Sequence, residues 1–383
     1  MIQTNETFTI IGGGIAGLTA AIALAQKGIK ATIFEAAPEV KPVGAGILLA
    51  ANAMLAYRRL GIDSDIIPLG KQLSGFDILS SAGKLITRTD TTFLSVDDAP
   101  DNFTIHRAVL HNVLLSKIPA TSIHTSKRLK SFEQKEKEIV LHFEDGTSHV
   151  TNYLIAADGI HSPVRKQLVA ESVPRYAGYT CWRAVVNTNQ FNKAGNSETW
   201  GPKGRFGIAP LAGDKVFWFA CINAPQNDAK MRSFKVADLR REFASYHQDI
   251  KALLDQTPDD ALIWSDINDI RPLQHFAFNN IVLIGDAAHA TTPNMGQGAC
   301  QAIEDAIVLA DELSRHTAPQ EAFKCFEKRR LARTRDITNT SWVLGRMAQM
   351  ENSLLCRLRN IFLRSLPEKF KQTQVRRVLK VDF

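Results

Sequence analysis

The chain has 383 residues, 45% of them apolar and 22% charged, the balance of a folded globular protein with room for two domains. Its five cysteines, Cys181, Cys221, Cys300, Cys325 and Cys356, are odd in number and nowhere in C-x-x-C spacing, which excludes a disulfide framework or a zinc knuckle as the organising principle. The formal net charge of +7 gathers late, at residues 324–335 and 357–380, without the interleaved aromatics of a base-stacking surface, so a solvated helix face or a positive field is expected rather than binding to nucleic acid or to an anionic membrane surface.

In chain order, residues 1–7 are polar and lack a basic leader. The apolar run 8–11 reads as a strand, not as a signal peptide. No window nears the ~20 apolar residues of a membrane span. A cytoplasmic monomer or dimer with reduced thiols is expected. Ile15, Leu18, Ile22 and Ala25 predict a helix over 15–27 that ends at Gly28. Residues 31–34 form a second short strand with Glu35 at its tip. Residues 74–104 are short, polar and alternating, and 108–116 reads as a helix. A β-meander is predicted over 127–150, turning at Glu144-Asp145-Gly146. A buried strand at 153–157 runs into Asp158-Gly159. From 175 to 269 the strands are rich in aromatics and broken by a helix at 236–244. A buried strand at 281–284, a helix at 299–313 and a basic helical tail complete the chain.

Two glycine elements carry chemistry. Gly12-x-Gly14-x-x-Gly17 follows a strand and opens a helix. Gly12 permits the tight turn, Gly14 lets backbone approach a pyrophosphate, and Gly17 lets helix pack on strand. Ile15 and Ala16 complete the loop, whose N–H groups point at the phosphates from the positive end of a helix dipole. Glu35, 18 residues after Gly17, is placed to accept from a ribose diol, which favours FAD or NAD over NADP. Far downstream, Gly285-Asp286 follows another buried strand, with Pro293, Gly296 and Gly298 leading into a helix. Asp286 at a strand tip suits a polyol such as a ribityl chain; a helix cap is the alternative. The helix after Gly298 would aim N–H groups at the flavin pyrimidine edge. The expected architecture is α/β: a Rossmann-like FAD-binding domain (1–73, 102–174 and 276–320), an inserted β-sheet substrate domain (74–101 and 175–275) and a C-terminal helical segment (321–383).

With these elements in order, the chain resembles the class A FAD-dependent aromatic monooxygenases, the p-hydroxybenzoate hydroxylase-like family. Its pattern is similar to urate and salicylate hydroxylases and to tetracycline-modifying monooxygenases. The resemblance implies that Asp158, in Ala157-Asp158-Gly159 through Arg165, lies near the FAD and a transient pyridine nucleotide, with Arg165 supporting the loop. It implies that Arg107 touches the FAD, that Lys41 lies near the adenosine, and that the Gly46 backbone passes the isoalloxazine. Pro293 and Met295 would border the reacting face of the flavin.

The resemblance further implies that NAD(P)H reduces the FAD without a second nucleotide domain. Dioxygen would then give a flavin C4a-hydroperoxide that hydroxylates a small aromatic, heteroaromatic or polycyclic substrate. Arg183, mid-strand among apolar residues, is a candidate for an anionic substrate group, with a structural ion pair as the alternative. Alternation over 216–220 puts Trp218 on one strand face and Phe217 and Phe219 on the other, both expected to be buried. Trp218 and Met295 join Arg183 as substrate candidates. His289 reads as a hydrogen-bonding residue at a helix start. No general base and no metal ligand is assigned. Two other functions are open: an FAD oxidoreductase or epoxidase acting on an isoprenoid, using the basic amphipathic tail around Leu354–Phe362, and a non-catalytic flavin-binding regulator.

Overall fold

A computed structural model describes residues 6–39, 45–90, 102–188 and 196–383. The first strand, β1 (Phe8–Ile11), is buried along its whole length, as its Phe-Thr-Ile-Ile sequence and a place inside a parallel sheet require. It pairs in parallel with β2 (Ala31–Phe34) on one side and with Tyr153–Ala156 on the other. Tyr153–Ala156 in turn pairs in parallel with Ile281–Leu283. The register sets Ile11 beside Phe34 and Ala156, and Ala156 beside Leu283. Gly12, Glu35, Asp158 and Gly285 therefore emerge together at the carboxyl edge of one six-stranded sheet, where open α/β sheets bind ligands.

The crossover helix α1 (Ile15–Gln26) ends as expected before Gly28, whose φ of +76° suits glycine. Nearly every α1 residue through Leu24 is buried, because sheet and helix Gly298–Arg315 sandwich it. The predicted meander forms from Leu129–Gln134, Ile139–Phe143 and Ser148–Thr151.

A second, seven-stranded sheet runs Ile263–Asp269, Arg175–Asn187, Lys215–Asn223, Gly204–Leu211, Asn196–Gly201, Gly75–Ser80, Leu85–Asp90. Its pairs are antiparallel except Asn196–Gly201 with Gly75–Ser80. One face carries Trp182, Ala184, Phe206, Ile208 and Trp218 against helices Val236–Glu242 and Gln248–Asp255, making a separate apolar core. The second of these helices adds to the one expected near residue 240. The other face carries Arg183, Arg205, Phe217 and Phe219, with Phe217 against Gly46 and Arg205 against Asn294.

Helix Pro319–Ala348 has 30 residues, about 45 Å of rise, and ties the two regions together. Phe323 and Phe326 belong to the core of the first region. Further along, Ser341 bonds Thr292, and Trp342 receives the Arg175 guanidinium 3.6 Å from its ring centroid. Helices Ser353–Ser365 and Glu368–Leu379 follow.

Candidate active site

At the carboxyl edge of the first sheet, the two outer glycines of the fingerprint remove side chains that the fold has no room for. Gly12 has a φ of +106°, and a Cβ there would overlap the Ala157 carbonyl. A Cβ on Gly17 would overlap the Gly12 carbonyl. Gly14 differs: a Cβ there meets nothing within 4 Å, so nothing in the protein demands glycine. Gly14 is also the N-cap of α1, which has neither a side-chain cap nor an acid in its first turn. Its first N–H groups face open space.

Glu35 is more engaged than a simple ribose acceptor. Gly13 N–H donates to its Oε2 at 2.6 Å and Ala37 N–H to its Oε1 at 2.8 Å. Each oxygen keeps a second lone pair, so a diol contact would come in addition. His111 Nε2–H donates to the Gly13 carbonyl at 2.8 Å, pinning the next peptide group of the turn. Arg107 lies four residues earlier on the same helix, Arg107–Ser116, and is exposed, with no side-chain partner among the described residues.

The second glycine element touches the first. Gly285 has a φ of +57°, and a Cβ there would come within 2.9 Å of the Ala16 methyl. Gly285 caps the short helix Asp286–His289, so Asp286 is not the cap. Its side chain is exposed and unpartnered among the described residues, while Ala287 to His289 are buried. Arg165, almost fully buried, donates from Nη1 to the carbonyls of Ala287 at 3.1 Å and Asp286 at 3.4 Å, and from Nη2 to that of Ile160. It joins the Asp158-Gly159 turn to the Gly285-Asp286 loop. Beside it, Asp158 accepts from Val164 N–H at 3.4 Å and has a buried Oδ1 without a partner. Burial raises its carboxyl to about 6, against the opposing pull of Ser162 and Arg165.

Behind this loop lies a buried ionic network. Asp305 accepts from Gly285 N–H at 2.8 Å, His289 Nε2–H at 2.6 Å and Arg330 Nε–H at 2.7 Å. Burial opposes its charge, but His289 and Arg330 outweigh burial and hold it at about 2. Glu304 accepts from Arg330, from Arg333 at 2.7 Å and from Asn52 Nδ2–H at 2.5 Å. His289 thus makes the hydrogen bond expected of it and holds the loop in place, but from the last residue of the short helix rather than from a helix start.

Gly296 has a φ of +63° and lies against Leu48. Gly298 is looser: a Cβ there would sit 3.7 Å from Thr291, an ordinary contact. Its helix starts without a side-chain cap. In the turn Pro293–Met295, Pro293 is exposed and Met295 half-buried. Asn294 between them accepts on Oδ1 from Tyr179 O–H at 3.0 Å and from Arg205 Nη2–H. Arg205 also donates to Glu198 at 3.0 Å and is buried. An arginine of the second sheet thus grips the turn beside the Gly-Asp loop.

The FAD binding domain family model matches residues 5–341. Aurachin C monooxygenase/isomerase of Stigmatella aurantiaca is 36% identical over 380 residues, 99% of each chain. The 2-heptyl-3-hydroxy-4(1H)-quinolone synthase of Pseudomonas aeruginosa is 30% identical over 368 residues, 94% of each. The crystal structure of Klebsiella pneumoniae HpxO with FAD and uric acid is 27% identical with a TM-score of 0.91, covering 99% of this chain and 98% of that one. The chain belongs to the FAD-dependent aromatic monooxygenases.

FAD is the cofactor of this monooxygenase, and the residues present fit it. Open space at Gly14, an uncapped α1 N-terminus, and an Arg107 cation and Asp286 carboxylate that have no hydrogen bond or ion pair among the described residues are what a dianionic pyrophosphate and a polyol need.

Several expectations change on the monooxygenase's second sheet. Trp218 is fully buried on the helix-covered face, stacked 5.1 Å from Phe206 and donating Nε1–H to Thr257 at 3.0 Å. It is a core residue, not a substrate contact. Phe217 and Phe219, expected to be buried, are half-buried on the opposite face. Gly46 is glycine because of Phe217: a Cβ there would come 2.5 Å from the ring. Arg183 shares the face of Phe217 and Phe219. It donates to Ser265 Oγ at 2.7 Å, its Nε is buried without a partner, and no carboxylate pairs with it among the described residues. The ion-pair alternative fails. Lys41 lies outside the described residues. Sequence reasoning missed Arg205, Tyr179, Asn294 and His111. The one signal for Arg205 was a charge directly before the apolar run Phe206-Gly207-Ile208-Ala209, a clue like the one that nominated Arg183.

Proposed function

We propose that this monooxygenase hydroxylates a flat heteroaromatic substrate, seated on the face of the second sheet that carries Phe217, Phe219 and Arg183. The observation that carries this reading is the pairing of two half-buried phenyl rings with a guanidinium that has no carboxylate partner among the described residues. Rings offer a flat substrate apolar contact, and Arg183 would bind a carbonyl or enolate oxygen by a charge-assisted hydrogen bond. The names of two relatives agree: one makes a 4(1H)-quinolone, and the other was crystallised with uric acid.

In this reading residues 1–73, 102–174 and 276–320 hold FAD, 74–101 and 175–275 hold substrate, and 321–383 braces both. The turn of Gly12, Gly14, Ile15, Ala16 and Gly17 would receive the pyrophosphate, Glu35 the adenosine ribose and Asp286 the ribityl chain. Arg107 would contact the cofactor, with Asp158 close by. The helix opened by Gly298 would face the pyrimidine edge, and Pro293, Met295 and Gly296 would border the reacting face. When bound, the flavin supplies electron transfer from NAD(P)H and activation of O₂. The chain's task is to orient the substrate and exclude water. Isoprenoid reduction or epoxidation and a non-catalytic role find no such support, because the named relatives are aromatic monooxygenases.

The test is a screen of the FAD-loaded enzyme with NADH and with NADPH over quinolones, purines, phenols and tetracyclines, following O₂ uptake and product mass. A product heavier by one oxygen from a bicyclic heteroaromatic is expected. Arg183→Ala should raise KM about tenfold or more with a smaller change in kcat. Turnover of simple phenols only, with an unchanged KM in Arg183→Ala, would remove the proposal.

A further inference from the structure

Helix Ser353–Ser365 is seated by one side and open on the other. On the inner side, Arg359 is buried, donates to the Met347 carbonyl at 2.9 Å and stacks its guanidinium 5.0 Å from the Trp200 ring centroid. Cys356 is buried beside it, and Asn352 caps the first turn by accepting from Leu354 and Leu355 N–H. On the outer side, Leu354, Leu355, Leu358, Ile361 and Phe362 are between 50% and 64% exposed. At 100° per residue these five fall within an arc of about 120°. They form one apolar stripe pointing away from the protein. A surface helix ordinarily buries that stripe, yet here the protein is packed against the other side.

Charge identifies what meets the stripe. From Ser353 to Lys380 the chain has eight lysines and arginines against a single acid, Glu368. Arg357 and Arg364 lie along one edge of the stripe, Arg364 also donating to the Leu85 carbonyl at 3.2 Å, and Lys369, exposed Phe370 and Lys371, which pairs with Glu368 at 2.6 Å, follow on the next helix. A second copy docking by the same face would bring like charges together. An anionic bilayer supplies acyl chains for the stripe and phosphates for the exposed cations beside it, Arg357 and Lys369. No helix among the described residues is long and apolar enough to cross a membrane, so the contact is a surface one.

We propose that this face docks the enzyme on the surface of anionic lipid bilayers, with helix Ser353–Ser365 lying in the plane of the headgroups. The inference stands on the surface alone and holds whatever substrate the enzyme takes.

The experiment is flotation of the FAD-loaded full chain with vesicles of phosphatidylcholine, alone or mixed with phosphatidylglycerol. The protein should float with the mixed vesicles, about tenfold more weakly with phosphatidylcholine alone, and lose binding at about 0.5 M salt, where the Debye length is only a few ångströms. Leu358→Glu with Phe362→Glu should cut binding about tenfold or more while FAD content and melting temperature stay at wild-type values. If that variant loses FAD, Arg357→Glu with Lys369→Glu, which changes only exposed side chains, decides in its place. Failure of the wild type to float, equal flotation of the variants, or a dimer that Leu358→Glu with Phe362→Glu dissociates would overturn the proposal. Substrate screening does not enter the readout, so failure here leaves the heteroaromatic reading intact.

Discussion

At the carboxyl edge of the parallel sheet the protein presents backbone; on the open face of the antiparallel sheet it presents side chains. The first region is built from glycines that other backbone crowds, Gly12 against Ala157 and Gly17 against Gly12, and is braced from behind by Asp305, Glu304 and Arg330. It has little slack at Gly12 and Gly17, where any side chain would overlap backbone. The second region is built from half-buried Phe217, Phe219 and Arg183 on strands paired with neighbours on both sides. Its side chains can change without moving the strands. The difference teaches how one chain can keep a fixed seat, proposed for the cofactor, beside an adjustable face, proposed for the substrate.

Substitutions in the two regions break or sharpen this comparison. The largest effect is expected behind the seat. Arg330→Met leaves two buried carboxylates short of their cation and should cost about 3–5 kcal/mol, read as a large fall in melting temperature and in soluble yield. Across the sheet, Phe219→Ala should raise KM severalfold with FAD affinity unchanged. Its strand neighbour Trp218→Phe should leave KM alone and lower stability by about 1 kcal/mol, the worth of the lost bond to Thr257. A KM effect at Trp218 with none at Phe219 would invert the assignment of faces. At the seat, Asp286→Ala should weaken FAD binding about tenfold in a fluorescence titration, while the apoprotein melts as before, since the carboxylate has no partner within the described protein.

Two smaller effects probe how tight the seat is. The Asp158 carboxyl is raised to about 6 in the fold, above the unfolded range near 4. The folded state therefore binds more protons between these values, and the apoprotein loses stability as pH rises through that window. Asp158→Asn should abolish this slope and melt higher than wild type above pH ~6; parallel melting curves across the window would disprove it. Smallest of all, Gly298→Ala should change stability by less than about 0.5 kcal/mol, because its Cβ meets only ordinary contact. Gly46→Ala, forced into the Phe217 ring, should disturb the substrate face measurably more.

The sequence was most legible where chemistry resides in backbone. A glycine that must turn, admit a helix or cap a strand tip leaves its mark at a fixed spacing, so Gly12, Gly17 and Gly285 stood out and the parallel unit around them could be read off. What packs against a glycine was not legible: Gly46 makes room for Phe217, while Gly298 meets only ordinary contact. Glu35 stood out as a ribose acceptor, while its grip on Gly13 N–H did not.

On the second sheet, period-two alternation separated Trp218 from Phe217 and Phe219 without saying which side the helices cover. Only tertiary packing decides that, because both sides of such a strand are apolar. The pairing of Arg205 with Asn294, and of Asp305 with His289 and Arg330, was equally out of reach: these partners are far apart in sequence and meet only once two sheets and a 30-residue helix are assembled. Local sterics are written residue by residue, so the sequence alone determined the cofactor turn and its crossover. Which face receives the substrate and what holds the loop rigid depend on contacts between distant segments, and those exist only in the folded molecule.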